Sequence, residues 1–306
     1  MRTKLLSALT ISALLFASCS SDDNTPEVND GSVKFTSGIT ATPQTKVATD
    51  NAGNSTWNLN DPIGIYMVAN GTTTIAGSAQ NIPYKATKAE PSTPFTPSGS
   101  ATIYYPVNTP AKVDFIAYHP YQSSVSGYEY SVDVSTQTSQ TNIDLMYAAT
   151  AITSPTGYDK TSADVNFTFD HQLVKLILNV STGAGVTGTV STVSITGMNT
   201  SAKFDLKGDD GLTDFGTPLA ITPYTATAGT KYEAILLPAT ALSSANKVTF
   251  TTSAGETFTW EMSNDINSLA TGSIYVYDIT LTKYAVSATG SITKWTVGTP
   301  GTGIAS

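Results

Sequence analysis

The chain is poor in the residues on which most protein chemistry depends. Among 306 residues there is one cysteine, Cys19, one arginine, Arg2, and two histidines, His119 and His171. A single cysteine cannot form an internal disulfide, so stability must come from packing. Without a second cysteine or a histidine pair at ligand spacing, zinc and copper sites are not expected. No local pattern brings a serine, a histidine and a carboxylate together. We therefore predict no metal, no cofactor and no enzymatic activity.

Charged residues are also scarce, at 12% of the chain, and the acidic ones predominate. The formal net charge is −8, and loss of Arg2 and Lys4 with a leader peptide would make it −10. Such a surface repels nucleic acid and anionic lipid headgroups. We therefore expect no nucleic-acid partner.

The few candidate catalytic or metal-binding residues are better explained by structural roles. His119 precedes a proline among aromatic residues and His171 precedes an apolar strand, so we predict that both make structural polar contacts. Asp209, Asp210 and Asp214 could offer oxygen ligands to calcium. The Asp210-Gly211 pair is, however, typical of a hairpin turn and the spacing is not that of an EF-hand, so the turn is favoured.

No long apolar repeat of helical period is present, whereas Thr, Ser, Gly, Val and Tyr are abundant. Short apolar or alternating runs recur about every ten residues between turn residues, as in β-sandwiches. The fold class is therefore predicted to be all-β. The length allows two domains, which we place at residues 33–155 and 160–306, joined by a polar connection around 153–162.

The N-terminus predicts export. Residues 1–18 combine a cationic start, an apolar run too short to span a bilayer and small residues before Cys19, as in a secretory signal. The segment resembles a bacterial lipoprotein signal, which implies cleavage between Ser18 and Cys19 and a lipid on the Cys19 thiol. The alternative is an ordinary signal peptide with a chance cysteine. Residues 19–32 are predicted to be an acidic tether. Their Ser-Ser-Asp-Asp start resembles an export signal to the outer face of the outer membrane, although a solvated tether would look the same.

Six patterns, in order along nearly the whole chain, resemble the fimbrillin family of Bacteroides-type bacteria. They are WNLNDPIGIY from Trp57, FIAYHPY from Phe115, DLMYA from Asp144, FTFDHQLVKL from Phe167, ITGM from Ile195 and ITKW ending at Trp295. The resemblance implies two tandem transthyretin-like β-sandwich domains, export as a lipoprotein, and assembly with other pilin subunits outside the cell. It also places Trp57 and Trp295 in the core rather than on a sugar-binding surface.

The first strand of the mature chain is predicted at Val33–Ala41, with Val33, Phe35 and Ile39 on one face. Burying these side chains would contribute roughly 5 to 9 kcal/mol. Removing the strand would open an apolar groove with unpaired backbone edges, able to accept a strand from another molecule. Family members are cut in the loop after this strand. Here that loop offers Lys46 before Val47, which predicts a trypsin-like, lysine-tolerant protease. The alternative is that Lys46 is a solvated loop lysine.

The family analogy places the donated strand at the C-terminus. Val286, Ala288, Gly290 and Ile292 alternate, and Trp295 follows. A terminal strand that closes its own sandwich would show the same pattern, so donation and self-pairing both stay open.

We therefore predict a structural subunit, shaft or tip, of a surface fimbria anchored to the outer membrane by lipid. It would assemble by protease-triggered strand exchange and contribute to adhesion to host or bacterial surface ligands. One alternative is a non-polymerising surface lipoprotein that binds glycans or host proteins. A glycan-processing enzyme would need two acidic side chains facing each other across a cleft, and the sequence singles out no such pair.

Overall fold

The computed structural model describes residues 30–37, 56–107, 111–150, 156–162, 164–208, 210–283 and 286–294. Within these ranges the chain forms nineteen strands and two short 3-10 turns, at Gln140–Asn142 and Met262–Asn264. The all-β class is confirmed. None of the helical segments in the described part of the chain is long and apolar enough to cross a bilayer.

The first half of the chain contributes nine short strands. They are β1 Phe35–Ser37, β2 Pro62–Ala69, β3 Ile82–Ala86, β4 Pro94–Pro97, β5 Val113–His119, β6 Glu129–Asp133, β7 Met146–Ala149, β8 Val165–Phe167 and β9 Asp170–His171. The apolar run Ile63–Val68 lies in β2 and is wholly buried, because its two faces pack against two different apolar clusters.

Eight of these strands form one sheet in the order β8-β1-β4-β3-β2-β5-β7-β9. Its two outermost strands, β8 and β9, are separated in the chain by Thr168 and Phe169 alone. The two ends of the sheet therefore lie close together, and the sheet curves around one apolar core. Its interior is filled by an apolar cluster rich in aromatic side chains. Its large members are Phe35, Trp57, Tyr84, Phe95, Phe115, Phe167 and Phe169.

The second half contributes the remaining ten strands. They are β10 Val174–Thr182, β11 Val190–Thr196, β12 Ser201–Asp205, β13 Leu212–Thr213, β14 Tyr224–Thr227, β15 Lys231–Leu236, β16 Lys247–Thr252, β17 Thr257–Glu261, β18 Ser273–Leu281 and β19 Val286–Lys294. A five-stranded sheet, β14-β15-β10-β18-β19, and a three-stranded sheet, β11-β16-β17, enclose the second core. Central strand β10 has partners on both edges, which explains its nearly continuous apolar run.

Strand pairing, hydrogen bonds and apolar contacts join the two halves, in addition to the covalent chain. Strand β6 pairs with β12 over five residues, in a small sheet ordered β13-β12-β6. The buried amide of Gln137 donates to the Ile235 carbonyl oxygen at 2.9 Å and accepts from the Ile235 N–H at 2.9 Å. A single apolar cluster also includes side chains from both halves, such as Tyr118 and Phe204. The described residues from Gly31 onward accordingly belong to one compact unit.

The division into domains at 33–155 and 160–306 stays a prediction. Strands β8 and β9 follow residue 160 but pair with β1 and β7 of the first half. A boundary between 155 and 160 would thus separate both strands from their partners.

Candidate functional site

The leading segment, Gly31–Ser37, lies inside the first sheet and not at its edge. Strand β1 pairs antiparallel with β4, where Phe35 faces Phe95, and parallel with β8, where Phe35 faces Val165. Ahead of β1, the Val33 N–H donates to the Ile103 carbonyl oxygen at 2.9 Å. The segment therefore satisfies the backbone groups of neighbours on both sides.

The side chains of this segment fill the first core. Val33 is 4% exposed and Phe35 is 1% exposed. The Phe35 ring meets Tyr84 and Phe115 edge-on, with ring centroids 5.1 Å apart in each case, and stacks on Phe167 at 5.5 Å. Val33 and Phe35 thus lie buried on the inner face of the segment, as predicted. Ile39, the third residue predicted for this face, lies outside the described residues.

The end of β1 is fixed by polar contacts. The Ser37 N–H donates to the Thr93 carbonyl oxygen at 3.0 Å, and the Ser37 hydroxyl oxygen accepts from the Thr93 N–H at 3.1 Å. The Ser92 hydroxyl donates to the Ser37 carbonyl oxygen. The next described residue is Thr56, so Lys46 and Val47 lie outside the described part of the chain.

Removing the leading segment would leave a slot of defined shape. Fully extended, the segment's seven residues would span at most about 23 Å, at roughly 3.3 Å each. One wall would be the freed edge of β4 and the other the freed edge of β8, and the aromatic rings of Tyr84, Phe115 and Phe167 would form the floor. Unpaired backbone edges above an apolar floor are the requirements for binding an added strand.

The trailing strand, β19, lies at an edge. All nine of its residues face β18, from Lys294 opposite Ser273 to Val286 opposite Leu281. Among the described strands it has no partner on its other side. In this structure the strand predicted for donation is paired within its own chain.

The inner face of β19 carries small side chains. Ala288 is fully buried and Val286 is partly buried against the second core, whereas Ile292 is 54% exposed. At Gly290 the Tyr277 ring lies flat against the backbone, and an added Cβ would stand 2.2 Å from the Tyr277 Cε1 atom. Burial raises the pKa of the Tyr277 hydroxyl to about 12. Trp295 lies outside the described residues.

Both histidines lie in one row across the first sheet, because His119 of β5 faces Met146 of β7, which in turn faces His171 of β9. The His119 Nδ1 is 2.8 Å from the Pro62 carbonyl oxygen, and its Nε2 is 3.2 Å from that of Thr141. The His171 Nδ1 lies 3.0 Å from the Asp144 carboxylate. Both rings are buried and face protein groups rather than a cleft.

Burial shifts the pKa values of His119 and of nearby Asp61. It lowers the pKa of His119, although the carboxylates of Asp61 and Asp144 and the two carbonyl contacts oppose that shift. Burial also raises the pKa of Asp61, against the N–H of Asn58, which donates to it at 2.6 Å. The Trp57 ring, 4% exposed, meets His119 edge-on with centroids 5.4 Å apart. Trp57 is therefore in the core, as the resemblance implied.

A buried ion pair in the second half was not anticipated. The Lys175 ammonium lies 2.7 Å from the Glu233 carboxylate, and both side chains are less than a tenth exposed. Burial raises the pKa of Glu233, but Lys175 and Lys231 together outweigh that effect and the net pKa is lowered. The available signal was a lysine inside the apolar run from Leu173 to Val180, which only a buried partner could satisfy.

The possible calcium ligands fall in a hairpin. Asp210 and Gly211 precede β13, which pairs with β12, and the Asp205 N–H donates to the Gly211 carbonyl oxygen at 3.1 Å. Asp209 lies outside the described residues. In the ranges that the structure covers, no three metal-ligating side chains come together. Ser18 and Cys19, the predicted cleavage and lipidation residues, precede the first described residue.

Comparison with known proteins gives a consistent result. A family model described as fimbrillin-like matches residues 45–295. A curated protein of Bacteroides uniformis, named as a candidate fimbrium subunit, Fim1C, is 36% identical over 98% of both chains.

Solved structures agree with these sequence matches. A crystal structure of a candidate cell adhesion protein from Bacteroides uniformis is 33% identical, with a TM-score of 0.72 over 87% of this chain and 97% of that one. A candidate cell adhesion protein from Bacteroides ovatus, at 18% identity, has the same fold, with a TM-score of 0.62 over 88% of this chain and 99% of that one.

Proposed function

The chain belongs to the fimbrillin-like family, and from that premise we propose that it is a fimbrial structural subunit that assembles by strand exchange at its first sheet. The kinship with a fimbrium subunit supports association with other pilin subunits at the cell surface. Protease activation, the identity of the donated strand and adhesion are our proposals.

One observation carries the proposal, namely that the first described strand of the chain is an interior strand of its sheet. A strand at the start of the chain has a single covalent link to the rest of the sheet, so one cut behind it suffices to make it removable. Its place between β4 and β8 means that departure exposes two backbone edges at once. An incoming strand therefore regains hydrogen bonds on both sides as well as the apolar floor.

The proposed cut lies between Lys46 and Val47, beyond the strand. A trypsin-like protease accepts lysine, so it would release the chain up to residue 46, including Val33 and Phe35. An incoming strand must then supply two apolar side chains at alternate positions. We propose the C-terminal strand of a neighbouring subunit, in which Val286, Ala288 and Ile292 share one face and Trp295 follows.

Limited trypsin digestion tests the activation step on the chain expressed without its first nineteen residues. We expect a trimmed product that starts at Val47, keeps its β-sheet circular dichroism and forms oligomers, as measured by intact mass and light scattering. Lys46→Ala should block the trimming and the oligomers together. Lys88→Ala, at an exposed lysine between β3 and β4, is the matched control and should be trimmed like the parent.

Two results would contradict the proposal. In the first, Lys46→Ala is trimmed at the parent rate, which would place the sensitive bond elsewhere. In the second, the cut chain keeps its leading segment bound and stays monomeric, so that no slot opens.

We further propose that Cys19 is lipidated and anchors the subunit to the outer membrane, exposed at the surface, before assembly. Growth with a labelled palmitate analogue should label the parent and leave Cys19→Ser unlabelled. Protease added to intact cells should remove the labelled protein. Equal labelling of Cys19→Ser would refute the anchor.

One observation favours a second candidate function. All nine residues of β19 pair with β18 in the same chain, as expected of a non-polymerising surface lipoprotein that binds glycans or host proteins. A disulfide between β18 and β19, engineered as Val276→Cys with Ser291→Cys at facing positions, separates the two. It should stop polymerisation of a trimmed subunit that donates β19 and leave a non-polymerising binding protein unaffected.

A further inference from the structure

A cavity of about 510 Å³ lies at one end of the five-stranded sheet. We name it the end cavity. It is found where β15 ends and where β10 and β18 begin, with the β12–β13 hairpin forming its opposite wall. Its apolar lining includes Phe204, Leu212, Phe215 and Leu269, and none of its lining residues is charged.

The walls of the end cavity are fixed by hydrogen bonds. Ala239 and Leu269, which both line it, exchange backbone hydrogen bonds of 3.0 and 2.8 Å. The Tyr275 hydroxyl donates to the Ser268 carbonyl oxygen at 2.9 Å and accepts from the Ala270 N–H at 2.9 Å. The cavity is therefore preformed and needs no rearrangement to accept an apolar group.

An apolar ring stands at the rim without full cover. Phe215 is 45% exposed, although a phenylalanine gains about 1.5 to 3 kcal/mol when it is fully buried. A partly uncovered aromatic ring beside an uncharged concave surface is typical of a site that receives another apolar group.

The described chain ends beside this cavity. Lys294, the last residue of β19, lies opposite Ser273, and Ser273 follows the wall residues Ser268–Thr271 after Gly272 alone. An extended residue spans about 3.3 Å, so the first residues after Lys294 are within reach of Ala270 on the cavity wall.

The chemistry of the tail, residues 295–306, matches the cavity. Its twelve residues include no Asp, Glu, Lys or Arg, and its bulkiest side chain, Trp295, comes first. An indole buries 150–250 Å² of largely apolar surface and carries one N–H donor. The lining offers apolar contacts together with carbonyl and hydroxyl groups, which suit both parts of an indole.

We propose that the end cavity is the docking site for Trp295 of the same chain. Docked there, the indole covers Phe215 and holds the free end of β19 against β18. The trailing strand then has an anchor that its small inner side chains do not supply. The proposal concerns the resting chain and holds whether or not the strand is later donated to another subunit.

The three tryptophans of the protein allow a direct test. Trp57 and Trp260 are 4% and 2% exposed, so they report on the two cores, and Trp295 reports on the tail. The chain without its first nineteen residues is labelled with 5-fluorotryptophan, and the Trp295 fluorine resonance is assigned by its loss in Trp295→Phe. We expect no shift of that resonance between H₂O and D₂O, because a docked indole is shielded from solvent.

Blocking the cavity should release the indole. Ala270→Arg places a long charged side chain at the exposed rim, and we expect the Trp295 resonance to acquire the full solvent shift of a free indole. Phe215→Ser, a milder change at the same rim, should give an intermediate shift. The matched control, Ala254→Arg in an exposed turn after β16, should leave the resonance in place. Unchanged Trp57 and Trp260 resonances verify that each variant is folded.

Two outcomes would overturn the proposal. A full solvent shift of Trp295 in the parent protein would show that the indole is undocked. A solvent shift that appears only on dilution, with a matching fall in mass by light scattering, would show that the cavity receives the tail of a second copy.

Discussion

The leading segment and the trailing strand are held in opposite ways. Strand β1 has three residues, neighbours on both edges and a ring at the centre of an aromatic cluster. Strand β19 has nine residues and one neighbour among the described strands, and of its side chains whose burial is described only Ala288 is fully buried. Length and backbone pairing are therefore poor guides to how firmly a strand is held, because each hydrogen bond contributes little net free energy while burial of a large side chain contributes more.

The contrast suits the roles proposed for the two ends. An acceptor slot must bind its occupant with a large gain in free energy. The short leading segment fills a site in which its Phe35 ring is fully buried. A strand that is to be donated must first be able to leave, and an edge strand with small inner side chains can do so at low cost. Both properties can be measured separately.

The largest expected effect is that of Phe35→Ala. Loss of a fully buried ring that contacts three others should lower the free energy of unfolding by about 3 to 5 kcal/mol. Urea unfolding followed by circular dichroism measures the change. If the free energy of unfolding falls by less than about 1 kcal/mol, burial of Phe35 does not hold the leading segment, and the contrast between the two ends is wrong.

Gly290→Val should have the next largest effect, of about 1 to 3 kcal/mol, and it should be confined to the trailing strand. The new side chain must displace the Tyr277 ring, whose Cε1 atom lies 2.2 Å from the position of an added Cβ. Hydrogen exchange should show faster exchange in β19 with β1 unchanged. The matched control is Ser291→Val, on the opposite face of the strand, and equal exchange in both variants would contradict this packing.

As the pH falls, the first half of the chain, which holds the leading segment, should lose stability before the second half does. The pKa of folded His119 lies below its ordinary value of 6.5, so as the pH falls below about 6.5 the unfolded chain binds a proton before the folded chain does. Stability is thus full above about pH 6.5 and falls below it. The raised pKa of Asp61 acts in the opposite sense at lower pH.

The second half should respond at lower pH. The lowered pKa of Glu233 makes its contribution to stability complete above about pH 4.5 and lost below it. Hydrogen exchange, corrected for the intrinsic pH dependence, should therefore lose protection in β2 and β5 before β10 and β18. If both halves lose protection at the same pH, His119 does not control the loss of stability that begins near pH 6.5.

The smallest expected effect is that of Ile292→Ala. Its side chain is already 54% exposed, so the free energy of unfolding should change by no more than about 0.5 kcal/mol. Together with Phe35→Ala, this variant compares the cost of losing one apolar side chain from the trailing strand with the cost of losing one from the leading segment. A cost near that of Phe35→Ala would mean that Ile292 is covered and the trailing strand is well anchored.

Sequence reasoning predicted the all-β class and the apolar faces of the first and last strands. The alternation of Val33 with Phe35, and of Val286 with Ala288, predicted which side chains point inward, because the side-chain period of a strand is two. The turn at Asp210-Gly211 followed from local chemistry in the same way. These features depend on neighbours within a few residues.

The features that sequence reasoning missed depend on distant partners. Strand β1 lies beside β8, although Phe35 and Val165 are 130 positions apart, and no pattern within either strand selects the other. The row of His119 and His171 arises only when β7 lies between β5 and β9. Lys175 could be recognised as unusual from its apolar setting, but only the fold supplies Glu233.

Strands β10 and β18 run parallel side by side through nine facing positions at the centre of the second sheet. A tensile load along that axis would shear all nine positions together, whereas a load across it would peel them apart one at a time. The long parallel pair thus resists a load along its own axis better than a load across it.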